Sequence, residues 1–117
     1  MELITALDVP EKLFNTKGVA ILDFFASWCG PCKVMEKQLQ AIEIDGVPFS
    51  VYKVDVEDPA NEELVMKHRV SGVPTIMMFV DGEKKDTIVG QLPGVHLKRK
   101  IREVYTGSPD PVATISE

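Results

Sequence analysis

Cysteine is scarce in this sequence of 117 residues, which contains only Cys29 and Cys32. The two are separated by two residues, and a reducing compartment does not normally keep structural disulfides. A closed zinc site needs four ligands, and the histidines, His68 and His96, have no metal-ligand spacing relative to the cysteines. We therefore expect the cysteine pair to carry chemistry, with no metal or other cofactor, although half of a zinc knuckle has the same spacing.

Long apolar runs and an excess of basic residues are also missing. Glu2 stands where a secretion signal would carry basic residues, and no apolar run that follows is long enough for export or for a membrane span. The 18 acidic and 13 basic side chains give a formal charge of -5, which repels phosphate backbones. We expect a cytoplasmic protein that binds neither a membrane nor nucleic acid.

The length and composition are those of one ordinary globular domain. Apolar residues make up 44% of the chain and charged residues 26%, which is typical of a chain that folds alone. No internal repeat is present, and the composition changes only at the segment 106–111, which is rich in glycine and proline. We expect a monomer with a folded domain over residues 1–106 and a loose tail over residues 107–117.

Strand-like apolar runs alternate with segments of helical period, which predicts an α/β protein with a central sheet covered on both faces. Asp8 is the predicted cap of the first helix, and a second helix is predicted from Pro31 to about Ile44. The dipeptide Asp81-Gly82 predicts a hairpin. The predicted order of elements is βαβαβαββα.

The predicted strand Val19–Phe25 is apolar on both alternating faces except at Asp23. Such a run is expected for a parallel strand buried on both sides. Asp23 therefore stands out as an acidic side chain within an otherwise apolar element.

Cys29 and Cys32 lie just beyond this strand and open the next predicted helix. Unpaired backbone N–H groups and the helix dipole favour an anion there, and so favour the thiolate of Cys29. The thiolate is the nucleophile in disulfide exchange. Residues three apart on a helical turn face each other, which lets the two sulfurs close a small disulfide ring or open to a dithiol.

The segment 23–33, which reads DFFASWCGPCK, resembles the active-site segment of the thioredoxin family. The likeness spans roughly residues 2–105, and it implies the thioredoxin fold, a central mixed β-sheet of about five strands flanked by about four helices. Further matches to the family pattern follow in the same order along the chain: Lys53 within Tyr52-Lys53-Val54-Asp55, Val73-Pro74-Thr75, Asp81-Gly82 and Val89-Gly90.

In that family the first cysteine attacks a substrate disulfide and the second resolves the mixed disulfide. The resemblance thus assigns attack to Cys29 and resolution to Cys32. It also makes Asp23 a buried carboxyl beneath the pair, where desolvation raises its pKa toward the range useful for a general base acting on Cys32. Lys53 is then the expected charge partner of Asp23. An outward-facing Asp23 and an ordinary solvated Lys53 remain the alternatives.

The resemblance further implies a flat, mostly apolar contact surface that suits many partner proteins. Pro74 is expected to be a cis-proline facing the cysteines, with the backbone of Val73 pairing with an extended substrate segment. An ordinary trans-proline is the alternative. Six residues form the expected surface: Trp28, Gly30, Pro31, Val73, Pro74 and Gly90.

Two residues depart from the family pattern. Phe25 stands where most thioredoxins have a second tryptophan, and Lys37 stands where many have a helix-kinking proline. Without that proline the helix is expected to be straighter. Neither change removes a reacting group.

His68 and His96 have no evident role in the sequence, and we expect both at the surface.

Together these features predict a protein-disulfide reductase. The resemblance alone supplies its electron donor, a thioredoxin reductase. One alternative is a binding module that uses the same surface and does not need redox chemistry. Another is a thiol oxidase or isomerase, although those relatives usually carry histidine at the position of Pro31.

Overall fold

A computed structural model describes residues 1–108 of the chain. Its elements follow the predicted order βαβαβαββα, which is confirmed. Their bounds are β1 Glu2–Ile4, α1 Val9–Asn15, β2 Val19–Phe25, α2 Gly30–Ala41, β3 Phe49–Asp55, α3 Glu62–Lys67, β4 Thr75–Val80, β5 Glu83–Val89 and α4 Gly94–Thr106.

The five strands form one mixed sheet in the order β1-β3-β2-β4-β5. Strands β1, β3 and β2 are parallel to one another, whereas β4 is antiparallel to β2 and β5 is antiparallel to β4. Strand β2 is the middle strand and is buried, as its apolar run interrupted only at Asp23 predicts. The predicted mixed sheet of five strands and four helices is therefore confirmed.

Alternate residues of β2 contribute to two separate cores, one on each face of the sheet. Val19 and Ile21 pack with Met35 of α2 and Leu97 of α4 on one face. Ala20, Leu22 and Phe24 of β2 pack on the other face with α3 and the start of α1. Because side chains alternate along a strand, Asp23 continues the face of Ile21 and faces α2.

Two helix ends differ from the sequence prediction. Asp8 does not cap α1 with its side chain. Its carboxylate instead accepts a hydrogen bond from the backbone N–H of Thr5, three residues earlier, at 3.2 Å. A 3-10 turn over Ala6–Asp8 precedes the helix. Helix α2 ends at Ala41 instead of Ile44. The apolar period continues past the helix because Ile44 still packs into the core from the following loop.

The hairpin at Asp81-Gly82 is confirmed, with φ angles of 53° and 79° at its two central residues. Both angles are positive, as the short turn favoured between twisted antiparallel strands requires.

Helix α4 ends at Thr106, where the sequence predicts the end of the domain. Residues 109–117, most of the predicted tail, lie outside the described residues, so the boundary stays a prediction. Within residues 1–108, no helix combines the length and apolarity needed to cross a bilayer.

Gly18 provides a test of how the loop before β2 is packed. Its φ is +81°, and a Cβ atom there would lie 2.0 Å from the carbonyl oxygen of Pro48, which accepts a hydrogen bond from Val19. Gly46 has a similar φ of +75°, but a Cβ atom there would have no atom within 4 Å apart from those of the adjoining residues. Gly46→Ala should cost about 1 kcal/mol of unfolding free energy through the backbone conformation alone. Gly18→Ala should lower the unfolding free energy clearly more than Gly46→Ala does, because the added Cβ would also clash with the Pro48 carbonyl. Urea unfolding of the two variants measures both losses, and equal losses would contradict this packing.

Candidate active site

The cysteine pair lies at the junction between β2 and α2. Cys29 is the N-cap residue of α2, with extended backbone angles (φ -85°, ψ 108°), and its Sγ accepts a hydrogen bond from the backbone N–H of Cys32 at 3.2 Å. The sulfur thus occupies the position usually filled by a serine or aspartate oxygen at the start of a helix. Negative charge on Cys29 is favoured there by the backbone donor and by the helix dipole.

Cys29 and Cys32 are joined by a disulfide bond, with a Cα–Cα distance of 5.3 Å. Both are almost fully covered, each 3% exposed, and pack with Ala26, Phe25 and Val73 among their apolar neighbours. The ring closure predicted from the two-residue spacing is confirmed. Within residues 1–108, no three His, Cys, Asp or Glu side chains form a group that could hold a metal ion.

Asp23 is completely buried, with 0% of its surface exposed. Neither carboxylate oxygen has a hydrogen-bond partner among the described residues. Burial raises the pKa of Asp23 from 3.8 to about 7; the positive charge of Lys53 opposes this rise, and the negative charge of Glu36 adds to it. The buried position expected for Asp23 is confirmed, the outward-facing alternative is wrong, and the direction of the pKa shift agrees with the expectation.

Lys53 acts on Asp23 through its positive charge, as expected of a charge partner, but its ammonium does not hydrogen-bond to the Asp23 carboxylate. The strand register places the two residues side by side on β3 and β2, but the Lys53 ammonium lies 3.0 Å from a Glu36 carboxylate oxygen. It also lies 4.5 Å from the centre of the Phe25 ring. Glu36 is partly exposed and Asp23 is not, so pairing with Glu36 leaves both charges in contact with water and avoids burying them.

The residues predicted to contact partners are brought together around the cysteines in two groups. Trp28 is 70% exposed, and Gly30 and Pro31 are exposed in the first turn of α2. Val73 packs against the cysteines, and the bond that joins it to Pro74 is cis, as predicted. Gly90 donates its backbone N–H to the carbonyl of Pro74 at 2.8 Å, so the end of β5 completes this side.

Two site residues escaped the sequence analysis. Glu36 lies four residues after Cys32, a spacing that places both on one face of a helix. Glu57 follows the carboxyl end of β3 and accepts a hydrogen bond from the Trp28 indole N–H at 3.1 Å. Since β2 and β3 are parallel, their carboxyl ends meet at one edge of the sheet. The helical spacing from Cys32 could have identified Glu36 from the sequence, and the position just after β3 could have identified Glu57.

The two histidines differ in their surroundings. His96 is exposed, as predicted, with its Nδ1 at 2.9 Å from a guanidinium nitrogen of Arg99. His68 is less exposed than predicted, because its partly buried ring lies beside those of Phe24 and Phe79 at centroid distances of 6.4 and 6.2 Å. Burial lowers the pKa of His68. The residue caps the end of α3, where the chain turns back toward the sheet.

A disulfide between residues three apart, at the first turn of a helix that follows the middle strand of a mixed sheet, defines a dithiol-disulfide oxidoreductase site. The family model for thioredoxin matches residues 4–103 of this sequence. The chain belongs to the thioredoxin family, whose members are protein-disulfide reductases. Its substrates are therefore proteins with disulfides, and a reductase returns the pair to the dithiol.

Individual relatives agree in sequence and in structure. Thioredoxin from Bacillus subtilis is 32% identical over 104 residues, which are 88% of this chain and 98% of that protein. Thioredoxin from Mycoplasmoides gallisepticum is 32% identical over 102 residues, 87% of this chain and 100% of that protein. Among solved structures, a mutant thioredoxin from Halobacterium salinarum has a TM-score of 0.77 at 31% identity, covering 91% of this chain and 89% of its own. Chloroplastic thioredoxin z has a TM-score of 0.75 at 30% identity, covering 92% and 96% respectively.

The buried Asp23 should make the oxidised protein less stable as the pH rises toward neutrality. Between the ordinary pKa of 3.8 and the folded value of about 7, the folded protein keeps a proton that the unfolded chain has released. Each pH unit in that interval should therefore lower the unfolding free energy by about 1.4 kcal/mol, and the loss should be complete above the folded pKa.

Asp23→Asn has no charge to titrate and should lose this contribution to the slope. Urea unfolding of the disulfide form at a series of pH values measures both proteins. Parallel curves for the native protein and the variant would show that Asp23 does not titrate in this way.

Proposed function

We propose that Cys29 is the attacking sulfur and Cys32 the resolving sulfur in the reduction of partner disulfides. The Cys29 thiolate attacks one sulfur of the partner disulfide, which forms a mixed disulfide and releases the other partner sulfur as a thiolate. Cys32 then attacks Cys29, which releases the second partner thiolate and closes the disulfide between the pair. Two electrons pass from the pair to the partner. The hydrogen bond from the Cys32 N–H to the Cys29 sulfur, 3.2 Å long, is the observation that carries this assignment, because it would stabilise the thiolate of Cys29.

The proton of the Cys32 thiol is accepted by the Asp23 carboxylate when Cys32 attacks. Asp23 lies on the face of the sheet that packs against α2, the helix that carries Cys32. Its pKa of about 7 suits a group that takes up and returns a proton near neutral pH. Lys53 contributes a positive charge near the carboxyl without bonding to it.

Partner proteins bind across the surface formed by the six predicted contact residues. An extended segment of the partner pairs with the backbone of Val73, beside the cis bond to Pro74. The exposed indole of Trp28, held by Glu57, and the turn at Gly30 and Pro31 form the opposite side. An open surface of this kind accommodates a protein segment better than it would enclose a small molecule.

The working protein is a monomer of the cytoplasm, with its domain over residues 1–106 and no cofactor of its own. Its electron donor is a thioredoxin reductase, a proposal supported by membership of the family. Pro31, at a position where oxidising relatives usually carry histidine, favours a reducing role. The net charge of -5 disfavours binding to nucleic acids.

Turnover of a protein disulfide tests the proposal. With dithiothreitol as electron source, the native protein should accelerate the reduction of insulin, and Cys29→Ser should reduce the rate to that of dithiothreitol alone, because no attacking thiolate remains. Insulin precipitation followed by turbidity gives both rates. A Cys29→Ser variant that keeps the native rate would show that the pair is not the reactive group.

The proton acceptor is tested by the resolving step. Asp23→Asn should slow the attack of Cys32 on the mixed disulfide by about tenfold or more near pH 7. The difference should shrink toward pH 9, where water and hydroxide deprotonate the thiol without help. Rapid mixing, followed through Trp28 fluorescence, measures this step across the pH range. Asp45→Asn, at an exposed turn, is the matched control. Identical pH profiles for native protein and Asp23→Asn would rule out the general base.

A further inference from the structure

We infer that Glu36 is a positioning residue for the reaction proposed above: it holds the Lys53 ammonium in an ion pair and so keeps that cation from pairing with Asp23. The inference rests on the proposed role of Asp23 as proton acceptor. The Glu36 side chain takes no part in the proposed sulfur chemistry and acts through Lys53.

Two contacts hold the ammonium of Lys53, and neither is with Asp23. One is the ion pair with Glu36 at 3.0 Å. The other is the ring of Phe25, whose centre lies 4.5 Å from the same nitrogen, within the range of a cation–π interaction. Glu36 comes from α2 and Phe25 from the end of β2, so the lysine is held between two elements that pack together.

Without these contacts, the strand register would favour a different pair. Asp23 and Lys53 are direct neighbours on parallel strands, about 4.8 Å apart in the backbone, and both lie on the face that packs against α2. A lysine side chain spans that separation easily, yet both oxygens of Asp23 are without a hydrogen-bond partner within residues 1–108. Competition with Glu36 accounts for the missing bond.

The charges around Asp23 are balanced only while Asp23 is neutral. Within residues 1–108, Lys53 from β3 and Glu36 from α2 are the charged groups that act on it, and its neighbour on β4 is the uncharged Ile76. With Asp23 protonated, the Lys53 and Glu36 charges cancel. Ionisation of Asp23 adds an unpaired negative charge in a buried position, which is unfavourable. If Glu36 lost its charge, Lys53 would be free to pair with Asp23 and stabilise its carboxylate.

The ion pair between Lys53 and Glu36 affects how readily Asp23 accepts a proton. A carboxylate paired with an ammonium is a weak base that rarely takes a proton at neutral pH. A buried carboxyl without such a partner holds its proton until near neutrality and can exchange it there. Glu36 therefore keeps Asp23 in the useful range, from a position one helical turn beyond Cys32.

The experiment compares Glu36→Gln with the native protein by titrating the Asp23 carboxyl carbon with ¹³C NMR in the disulfide form. The pKa of Asp23 should fall by about one unit in Glu36→Gln. Glu43→Gln, which removes the same charge at an exposed site just beyond the end of α2, should leave it unchanged. Both variants should fold, because a partly exposed ion pair contributes little to stability.

A second background separates positioning from simple charge repulsion. The pKa of Asp23 should rise in Lys53→Met, because a nearby positive charge is lost. When Glu36→Gln is added to Lys53→Met, the pKa of Asp23 should fall by much less than it does in the native background. Only the direct repulsion between the two carboxyl groups is lost in that case. Equal shifts in the two backgrounds, or no shift in Glu36→Gln, would overturn the inference. Because the titration needs no turnover, its result is independent of whether Asp23→Asn slows the resolving step.

Discussion

The site depends on the burial of β2 on both faces of the sheet. The strand is the middle one of five, and its side chains are covered from Val19 through Phe24. A carboxyl group within such a strand loses its water, and the cost of that loss falls on the charged form. The raised pKa of Asp23 thus follows mainly from its place in the sheet, and the charges of Lys53 and Glu36 change that pKa less than burial does.

The same strand sets the position of the cysteines. Its carboxyl end leads through a short loop to α2, whose apolar residues Met35 and Leu39 pack on the sheet face that holds Asp23. The start of the helix is therefore fixed relative to the buried carboxyl. Cys29 as the N-cap and Cys32 within the first turn then have unequal surroundings, although their exposed fractions are the same. This inequality supports the proposal that Cys29 attacks and Cys32 resolves.

Much of this arrangement could be predicted from sequence because it depends on local signals. Apolar periods identified the strands and helices, the two positive φ angles at Asp81-Gly82 follow from turn chemistry, and the cysteine spacing predicted the disulfide. The cis bond before Pro74 came from the family resemblance, since no local pattern distinguishes the isomers. The end of α2 was misplaced because Ile44 packs into the core like a helical residue while lying in a loop.

The errors in the site have a common physical origin. Lys53 and Asp23 are neighbours in the sheet, and their opposite charges alone predict a pair. The choice of Glu36 instead depends on relative exposure and on a ring at Phe25, and these become known only when α2 and the strands are placed together. The partial cover of His68 was missed for the same reason, because it comes from Phe24 and Phe79 on two strands distant in sequence from the end of α3.

The central claim, that Cys29 attacks and Cys32 resolves, is tested most directly by trapping the mixed disulfide. Reduced Cys32→Ser and reduced Cys29→Ser are each mixed with a peptide that contains one disulfide, and the products are weighed by intact-protein mass spectrometry. Cys32→Ser should accumulate a covalent adduct through Cys29, while Cys29→Ser should accumulate little. An equal or larger adduct through Cys32 would contradict it.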